Sequence, residues 1–506
     1  MAPDTPGSSA QTRPAIPLGS LLRHHAQTHP DRTAVIAGDE RISFAALDAR
    51  ANRRARILAQ RGVRQDDLVT IALADHVDLY ATTFAIWKLG ATPNVVPPRG
   101  ARAELSAILD LVRPRLFIAD EALPGSEDIF LATDDLTAED VSSEPLPEAV
   151  ASHWKAMTSG GSTGRPKVIL DAAPGLWDPA DSFLGQRPGD VILNPGPLYH
   201  NAPFYSTHAG LFTGCTIVDM GKFDAARALD LIEEHGVNWV TMVPTMMHRI
   251  WQLGPDALAE RTLPSLRMLL HMAAPCAPWL KREFIAWLGG DRVWEYYGST
   301  EGIGSTIIDG DDWLRHSGSV GRVREGFAMR ILDPEGQQCP VDTVGEIFFR
   351  PDTGPGTTYR YLGSDATRRG DWEATGDLGH VDRDGYLYLS DRRHDLIISG
   401  GANIYPAEVE AAIDAYDGVQ ASAAIGLPDE EWVARVHAIL QPLAGCTIDP
   451  EALLAFLGDR LARYKLPRSI EITDAALRDE AGKVRRAALR DARIAQATPK
   501  LANARG

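Results

Sequence analysis

Cysteine is scarce in this chain, with four in 506 residues, which is too few for a disulfide framework. They are Cys215, Cys276, Cys339 and Cys446, and no two of them form a CxxC pair. Residues 1–17 contain neither a basic segment nor an apolar run, so we expect no secretory signal. No apolar stretch approaches the roughly 18 residues that span a bilayer. A soluble, cytoplasmic protein without a membrane span is therefore expected.

An excess of positive charge is also lacking. The chain has 51 Lys and Arg against 68 Asp and Glu, a net charge of −17. That balance argues against a general nucleic-acid or anionic-membrane binder. Residues 458–506 differ, with 12 basic and 6 acidic side chains. Either an anionic ligand docks there or these charges form a solvated helix face.

The length of 506 residues predicts two or three domains, and the pattern of elements predicts an α/β protein. LDARANRRARILAQRG reads as an amphipathic helix ending at Gly62, and the strand DDLVTIAL follows it. AARALDLIEEHG and VNWVTMV repeat that order, which is typical of a doubly wound, largely parallel sheet. After about residue 315, short strands joined by turns such as DPEG predict a small antiparallel barrel or sheet. The last hundred or so residues mix helices and strands and predict a compact α+β unit.

A loop rich in glycine and hydroxyl groups has the composition of a polyphosphate-binding site. Its sequence is Met157-Thr158-Ser159-Gly160-Gly161-Ser162-Thr163-Gly164-Arg165-Pro166-Lys167. Glycines let backbone amides converge on an anion, hydroxyls add donors, and the lysine supplies a positive charge. The lysine spacing differs from that of a Walker A loop. A flexible surface loop is the alternative.

The same loop satisfies GxSxG, the nucleophile elbow of serine hydrolases, with Ser162 as nucleophile. That elbow needs a helix directly after the serine, and Gly164 and Pro166 fit badly in one. A serine hydrolase is therefore a rival interpretation.

Three further motifs are weak when taken singly. They are Tyr296-Tyr297-Gly298-Ser299-Thr300-Glu301-Gly302, Glu373-Ala374-Thr375-Gly376-Asp377-Leu378-Gly379, and Ala481-Gly482-Lys483-Val484-Arg485-Arg486. A Thr-Glu pair can hold Mg²⁺ or form a surface turn. Asp377 can accept from sugar hydroxyls or cap a turn.

In this order and spacing, the motifs resemble those of the adenylate-forming superfamily of acyl-CoA synthetases, peptide-synthetase adenylation domains and luciferases. The resemblance runs from about residue 20 to about residue 492. Agreeing motifs are Pro197-Leu198-Tyr199-His200, Ala273-Ala274-Pro275 and the segment from Ile398 to Glu410. HNAPF and HMAAPCAPWLK look most like CoA ligases for bulky cyclic acids of steroid or terpenoid type.

The resemblance implies a fold and its boundaries. A large N-terminal domain at 16–391 would hold two doubly wound α/β subdomains and a small β-barrel. A hinge at 392–394 would lead into a small mobile α+β C-terminal domain at 395–492. Residues 1–15 and 493–506 are expected to be disordered and flexible, respectively.

The resemblance also implies the reaction: a carboxylic acid and ATP form acyl-AMP and pyrophosphate, and acyl-AMP and CoA then form acyl-CoA and AMP. Thr300 would contact the α-phosphate, Glu301 would hold Mg²⁺, and Lys483 would bridge the carboxylate and the α-phosphate. The implied ATP and AMP contacts are Thr158, Ser159, Gly160, Gly161, Ser162, Thr163, Gly164, Lys167, Ala273, Ala274, Pro275, Tyr297, Gly298, Ser299, Asp377 and Arg392.

Three positions match the family's hinge and CoA site. His394 stands at the hinge, where relatives commonly carry Asp or Lys, and a plain loop residue is the alternative. Gly401 matches the glycine of the pantetheine tunnel. Trp432 matches a CoA-contacting aromatic or is a core residue.

For the acid pocket, family position points to His200, Asn201, Gly302 and Gly304, with His200 also counted among the catalytic residues. The two glycines offer no side-chain volume. They favour a wide pocket and a large hydrophobic acid, polycyclic or aromatic.

Some residues depart from the family pattern. The phosphate loop carries one additional glycine, Gly160 or Gly161, and Met272 and Leu477 replace a usual glycine and proline. These departures leave open a ligase that only thioesterifies an acyl-adenylate supplied by a partner enzyme. Two further alternatives are loading of a carrier protein instead of CoA and a non-catalytic AMP-binding module. The chain is also a candidate homodimer.

Overall fold

The computed structural model describes residues 14–74, 76–137, 140–160, 166–392, 395–399, 402–429, 432–479 and 482–497. They form two compact units. Unit 1 contains residues up to 159 together with 166–194 and 203–221, and unit 2 contains 160, 195–202 and the residues from 222 onward. Within these ranges no helix is long and apolar enough to cross a membrane. The boundary between these two units does not fall at 392–394, so the expected domain boundary there stays a prediction.

Unit 1 is an α/β unit. Its helices are α1 (Leu21–Thr28), α2 (Phe44–Gln60), α3 (His76–Lys88), α4 (Arg102–Val112) and α5 (Asn201–Thr213). Its strands are β1 (Ile16–Pro17), β2 (Thr33–Ala37), β3 (Glu40–Ser43), β4 (Leu68–Ala72), β5 (Thr92–Val95), β6 (Leu116–Ala119), β7 (Phe130–Ala132), β8 (Ala156–Gly160), β9 (Pro166–Asp171), β10 (Leu176–Trp177), β11 (Val191–Asn194) and β12 (Thr216–Asp219).

One sheet of unit 1 runs in the order β9-β8-β5-β4-β6-β7, with β8, β5, β4, β6 and β7 paired in parallel. Helix α2 begins where the Ser43 hydroxyl accepts the backbone N–H of Ala46, a typical N-cap. It ends two residues before Gly62, whose φ of +89° suits glycine. The predicted helix and the strand β4 that follows it are confirmed.

Unit 2 begins as α/β and becomes antiparallel. Its helices are α6 (Ala225–His235), α7 (Pro244–Trp251), α8 (Pro255–Ala259), α9 (Pro278–Leu288), α10 (Gly310–Arg315), α11 (Pro406–Ile413), α12 (Pro450–Gly458) and α13 (Arg486–Ala497). Its strands are β13 (Trp239–Met242), β14 (Met268–His271), β15 (Val293–Gly298), β16 (Ser305–Asp309), β17 (Ser319–Val323), β18 (Phe327–Leu332), β19 (Gly345–Pro351), β20 (Tyr359–Leu362), β21 (Arg368–Arg369), β22 (Trp372–Val381), β23 (Leu387–Arg392), β24 (Ile397–Ser399), β25 (Ala402–Ile404), β26 (Val419–Asp429), β27 (Val433–Pro442) and β28 (Ser469–Ile472).

Strands β13, β14 and β15 pair in parallel, as the alternation of helices and strands predicts. From β15 onward the neighbours β16, β17, β23, β22, β19 and β18 pair antiparallel. The change of pattern after about residue 315 is therefore confirmed, because β18 and β19 flank the DPEG turn and pair over six residues.

The C-terminal part packs α11, α12 and the sheet β26-β27-β28 around one apolar core. Val409, Ala438 and Leu453 lie fully buried in it. Helix α13 extends to Ala497, so residues 493–497, expected to belong to a flexible tail, are helical. The reason is that the apolar side chains of Leu489 and Ile494 pack on a second buried cluster. Residues 1–13 and 498–506 lie outside the described ranges.

Candidate active site

Two of the motifs lie at one edge of the parallel part of unit 2. Ala273 follows β14 and Thr300 follows β15, while Thr245 in α7 lies just after the neighbouring strand β13. The carboxyl ends of parallel strands meet at one edge of a sheet, which is where open α/β sheets bind ligands. Sheet topology therefore brings the 273–275 segment and the Thr300-Glu301 pair to one place.

Tyr297, at the end of β15, holds one of the expected ribose contacts. Its hydroxyl donates to Asp377 Oδ2 at 2.7 Å. Asp377 on β22 is in turn the register partner of Arg392 on β23. Residues expected at the adenine and at the ribose are thus joined across 80 positions of sequence.

Glu301 is held by a residue that no motif contains. The Tyr361 hydroxyl donates to Glu301 Oε1 at 2.5 Å, and burial together with this carboxylate raises the pKa of Tyr361. Hard oxygen ligands suit Mg²⁺, which is commonly held by one or two carboxylates, substrate phosphates and water. Among the described residues there is no cluster of three metal-binding side chains. A single carboxylate with the neighbouring Thr300 hydroxyl fits a Mg²⁺ shared with ATP.

Lys483 reaches the same edge on a tight hairpin. The N–H of Asp479 donates to the Lys483 carbonyl at 3.0 Å, and the N–H of Gly482 donates to the Asp479 carbonyl at 2.8 Å. Gly482 has a φ of +73°, and a Cβ built there would lie 2.9 Å from Thr245 Oγ1. The hairpin therefore packs against the end of β13, and the Lys483 side chain is exposed.

His200 is a neutral imidazole beside this hairpin. Burial lowers its pKa from 6.5 to about 4, with Asp479 opposing the shift and with Lys483 and Arg485 adding to it. The next residue, Asn201, has a buried side-chain oxygen without a hydrogen-bond partner in the described ranges. Two of the expected acid-pocket residues therefore offer neutral polar groups, and both residues are partly buried.

The two pocket glycines have other reasons to be small. A Cβ at Gly304 would lie 2.2 Å from the ring of Phe349, which is itself fully buried. Gly302 has a φ of +64°, a conformation that side chains disfavour. The space beside Gly304 is thus filled from inside the protein, and these glycines do not by themselves indicate a wide pocket.

A buried ion pair lies beside the segment expected at the adenine, residues 273–275. Lys281 Nζ on α9 lies 2.6 Å from Glu295 Oε2 on β15, and both side chains are buried. His271 Nε2, at the end of β14, lies 3.8 Å from the same carboxylate, and burial lowers its pKa. The pair connects the helix that follows residues 273–275 to the strand that ends at Tyr297. No motif in the sequence indicates it.

The candidate phosphate loop joins β8 to β9, which are neighbours in the sheet of unit 1. The buried Asn94 amide donates to Thr158 Oγ1 at 3.3 Å, and Lys167 is the second residue of β9. Gly161, Ser162, Thr163 and Gly164 lie outside the described residues. A strand follows the loop where a nucleophile elbow requires a helix, so the serine-hydrolase interpretation is wrong.

Of the expected hinge and CoA residues, Trp432 can be described, whereas His394 and Gly401 lie outside the described residues. The guanidinium of Arg468 stacks on the Trp432 ring, 4.3 Å from its centroid. The indole N–H of Trp432 is buried and has no hydrogen-bond partner in the described part of the chain.

Comparison with known proteins decides the family. The model of the AMP-binding enzymes matches residues 22–362, and that of the AMP-binding enzyme C-terminal domain matches residues 408–483. The chain belongs to the AMP-binding enzyme family. It is 30% identical to the long-chain-fatty-acid–CoA ligase FadD13 of Mycobacterium tuberculosis, over 94% of this chain and 98% of that protein. It is 32% identical to a feruloyl-CoA synthase of Amycolatopsis, over 92% and 97%.

Among solved structures, the o-succinylbenzoate CoA synthetase of Bacillus subtilis with its acyl-adenylate superimposes with a TM-score of 0.80 at 25% identity, over 95% of this chain and 99% of that one. The same synthetase has been solved with ATP and a magnesium ion. This AMP-binding enzyme is accordingly an ATP-dependent, AMP-forming acyl-CoA ligase that uses Mg²⁺ and CoA. The expected fold, a large α/β domain followed by a small C-terminal one, is confirmed.

Proposed function

We propose that this enzyme carries out both half-reactions on a bulky hydrophobic acid, aromatic or polycyclic. A carboxylate oxygen of the acid attacks the α-phosphorus of ATP, the bond to the β-phosphate oxygen breaks, and pyrophosphate leaves. The CoA sulfur then attacks the acyl carbon, the bond to the AMP oxygen breaks, and the thiol proton passes to solvent. The observation that carries the proposal is the Lys483 hairpin, which packs at the end of β13 beside His200.

In the first half-reaction Lys483 lies between two anions. The acid and the α-phosphate repel each other, so a positive group placed where charge accumulates lowers the barrier. Loss of such a preorganised donor typically costs on the order of 10²–10³ in rate. Because His200 is neutral, it would not offset the positive charge of Lys483 at the reacting groups. Its ring N–H would donate a hydrogen bond to the carboxylate of the acid substrate.

The remaining nucleotide contacts follow the family positions. We propose that Thr300 contacts the α-phosphate, and that Glu301 holds a Mg²⁺ which offsets the charge of the phosphates. Asp377, supported by the Tyr297 hydroxyl and its register partner Arg392, would bind the ribose. The other proposed contacts are Ala273, Ala274 and Pro275 at the adenine, Gly298 and Ser299 beside it, and Thr158, Ser159, Gly160, Gly161, Ser162, Thr163, Gly164 and Lys167 at the phosphates.

The second half-reaction would use the C-terminal part. We propose His394 as the hinge, Gly401 as the narrow point of the thiol path, and Trp432 as a contact of CoA. The stacking of Arg468 on Trp432 supports a site for an anionic ligand, because it places a positive charge beside an aromatic face. Transfer to a carrier protein is the competing acceptor.

The hydrophobic character of the acid is supported by the neutral state of His200. Burial lowers the pKa of this imidazole to about 4, so at pH 7 it places no charge beside the acid. The curated relatives described above are named for a long-chain fatty acid and for ferulate, both of which are hydrophobic acids. An aromatic or polycyclic acid is the class we propose, with steroid and terpenoid acids as one group to test.

A mass-spectrometric assay that reads acyl-AMP and acyl-CoA separately tests the proposal. Purified enzyme is incubated with Mg-ATP, CoA and a panel of aromatic, fatty, steroid and diterpenoid acids. Acyl-CoA is expected from one class of acid. The Lys483→Ala variant is expected to lose acyl-AMP formation by about 10²–10³-fold. Lys222→Ala, which changes an exposed lysine ahead of α6, is the matched control.

The same assay separates the alternatives that the phosphate loop leaves open. If no acid gives acyl-AMP but synthetic acyl-adenylates give acyl-CoA, adenylation has been lost. Pyrophosphate release by a variant without the additional glycine would then identify Gly160 or Gly161 as the cause. Transfer to a holo carrier protein in preference to CoA would change the acceptor and leave the first half-reaction as proposed.

A further inference from the structure

The hairpin that bears Lys483 is short and its lysine is exposed. Its own bonds run between Asp479 and Lys483, including the Lys483 N–H donating to Asp479 Oδ1 at 2.9 Å. Such bonds shape the turn but do not set its direction relative to the rest of the C-terminal part. Something outside the turn must therefore position the lysine.

Two arginines flank the hairpin, and both reach one buried carboxylate. Arg486, three residues after Lys483, donates to Glu410 from Nε at 3.0 Å and from Nη2 at 2.7 Å. Arg478, five residues before Lys483, has its Nη2 3.8 Å from Glu410 Oε2. Glu410 lies on α11 and is 4% exposed. It also accepts the N–H of Ala424 at 2.8 Å, so its own position is well defined.

Arg478 also holds the hairpin directly. Its Nη1 donates to the Gly482 carbonyl at 3.3 Å, next to the lysine. Its Nη2 is shared with Asp414 Oδ2 and the Ser422 carbonyl, both at 3.3 Å. Burial raises the pKa of Asp414 to about 6, although Arg478 opposes the shift.

The cluster extends to the segment just after the predicted hinge. Arg486 Nη1 donates to Asp395 Oδ2 at 3.0 Å, and Asp395 directly follows residues 392–394. The start of the C-terminal domain, helix α11 and both ends of the lysine hairpin are therefore held by one set of ion pairs. Buried ion pairs stabilise a fold poorly compared with apolar packing, so defined geometry is the better explanation for this one.

We propose that Glu410, with Arg478 and Arg486, is a positioning residue that aims Lys483 for adenylation and takes no part in thioester formation. The inference rests on the proposed role of Lys483. The three side chains touch no reacting atoms, and they act by preventing the hairpin from rotating on the C-terminal part. A displacement of about 1 Å at a reacting group can cost on the order of 10²-fold in rate.

The test compares Glu410→Gln with wild type in the two half-reactions separately. The amide keeps the shape of the side chain but removes the charge that holds both guanidinium groups. Acyl-AMP formation is expected to fall by about 10- to 100-fold, mainly in kcat. Acyl-CoA formation from a synthetic acyl-adenylate is expected to stay within about twofold of wild type.

Glu408→Gln is the matched control, because Glu408 lies on the same helix but pairs with Lys465 at 2.6 Å instead. Its acyl-AMP formation is expected to be unchanged. If Glu410→Gln does not fold, Arg478→Lys keeps the positive charge and loses the second arm that reaches Gly482. The same split between half-reactions is expected from it.

Equal losses in both half-reactions would overturn the proposal, because they would indicate a purely structural role. Unchanged acyl-AMP formation in Glu410→Gln would also overturn the proposal. If Lys483→Ala still lost acyl-AMP formation in that case, the proposed function would stand. Failure of the proposed function looks different, because wild type itself would then form no acyl-AMP.

Discussion

The hydrogen bond from Tyr361 to Glu301 makes the proposed Mg²⁺ ligand experimentally accessible. The Tyr361→Phe variant keeps the ring and removes the hydroxyl that donates to Glu301 Oε1 at 2.5 Å. If Glu301 holds Mg²⁺, this hydroxyl fixes which carboxylate oxygen faces the metal. Partners that orient a metal ligand typically contribute 10- to 100-fold to metal affinity or activity.

The expected size lies at the lower end of that range. A hydrogen bond to a charged group contributes roughly 1.5–3 kcal/mol when buried. Glu301 is only partly buried, so water replaces part of the lost bond. We therefore expect a loss of about 1.4 kcal/mol, which corresponds to a tenfold rise in KM for Mg-ATP.

Two measurements distinguish this effect from general damage. KM for Mg-ATP is obtained from pyrophosphate release, and Kd for AMP, which needs no metal, from calorimetry. The KM is expected to rise and the Kd to stay unchanged. The control is Tyr359→Phe, in the same strand, whose hydroxyl donates to Glu373 Oε2 at 3.2 Å. An unchanged KM in Tyr361→Phe would contradict the prediction, and so would a weakening of both Mg-ATP and AMP binding in both variants.

Three further predictions concern stability. Between pH 6.5 and about 4 the unfolded chain binds a proton at His200 that the folded enzyme does not, so the stability of the enzyme falls as the pH falls through this range. His200→Asn should lessen this loss of stability, as measured by urea midpoints at pH 7 and 5. Lys281→Met leaves Glu295 buried without its cation and should lower the free energy of unfolding, measured in urea, by about 3–5 kcal/mol. Adding Glu295→Gln should recover part of that stability. Equal losses of stability in the single and double variants would contradict the pairing. Gly304→Ala places a Cβ against the ring of Phe349 and should destabilise the fold by about 1–3 kcal/mol. Unchanged stability together with a narrower range of accepted acids would instead indicate that Gly304 lines the acid pocket.

Much of the local structure was predictable because its causes are local. Helix α6 begins where Asp224 accepts the N–H of Arg227 and ends at Gly236 with a φ of +61°, so both boundaries are set by the types of adjacent residues. Strand β13 follows at once, and repetition of this order predicts the parallel sheet. The order and spacing of the motifs likewise predicted the family by their resemblance to those of adenylate-forming enzymes, and the family match confirms it.

Contacts between distant residues could not be predicted in the same way. Tyr361 and Glu301 are 60 positions apart, and Tyr361 belongs to no motif. The sequence could not distinguish a glycine that widens a pocket from one that accommodates a ring, and the position of Phe349 beside Gly304 decided the matter.

The same division applies to Lys483, the proposed catalytic lysine. By itself the sequence determined that Lys483 stands in a short glycine-containing turn between arginines, because those features depend on neighbouring residues. Only the tertiary structure decided that Glu410, on a helix some seventy positions earlier, binds both arginines. Side-chain chemistry limits which partners an arginine accepts, but packing of the whole C-terminal part determines which carboxylate comes within reach.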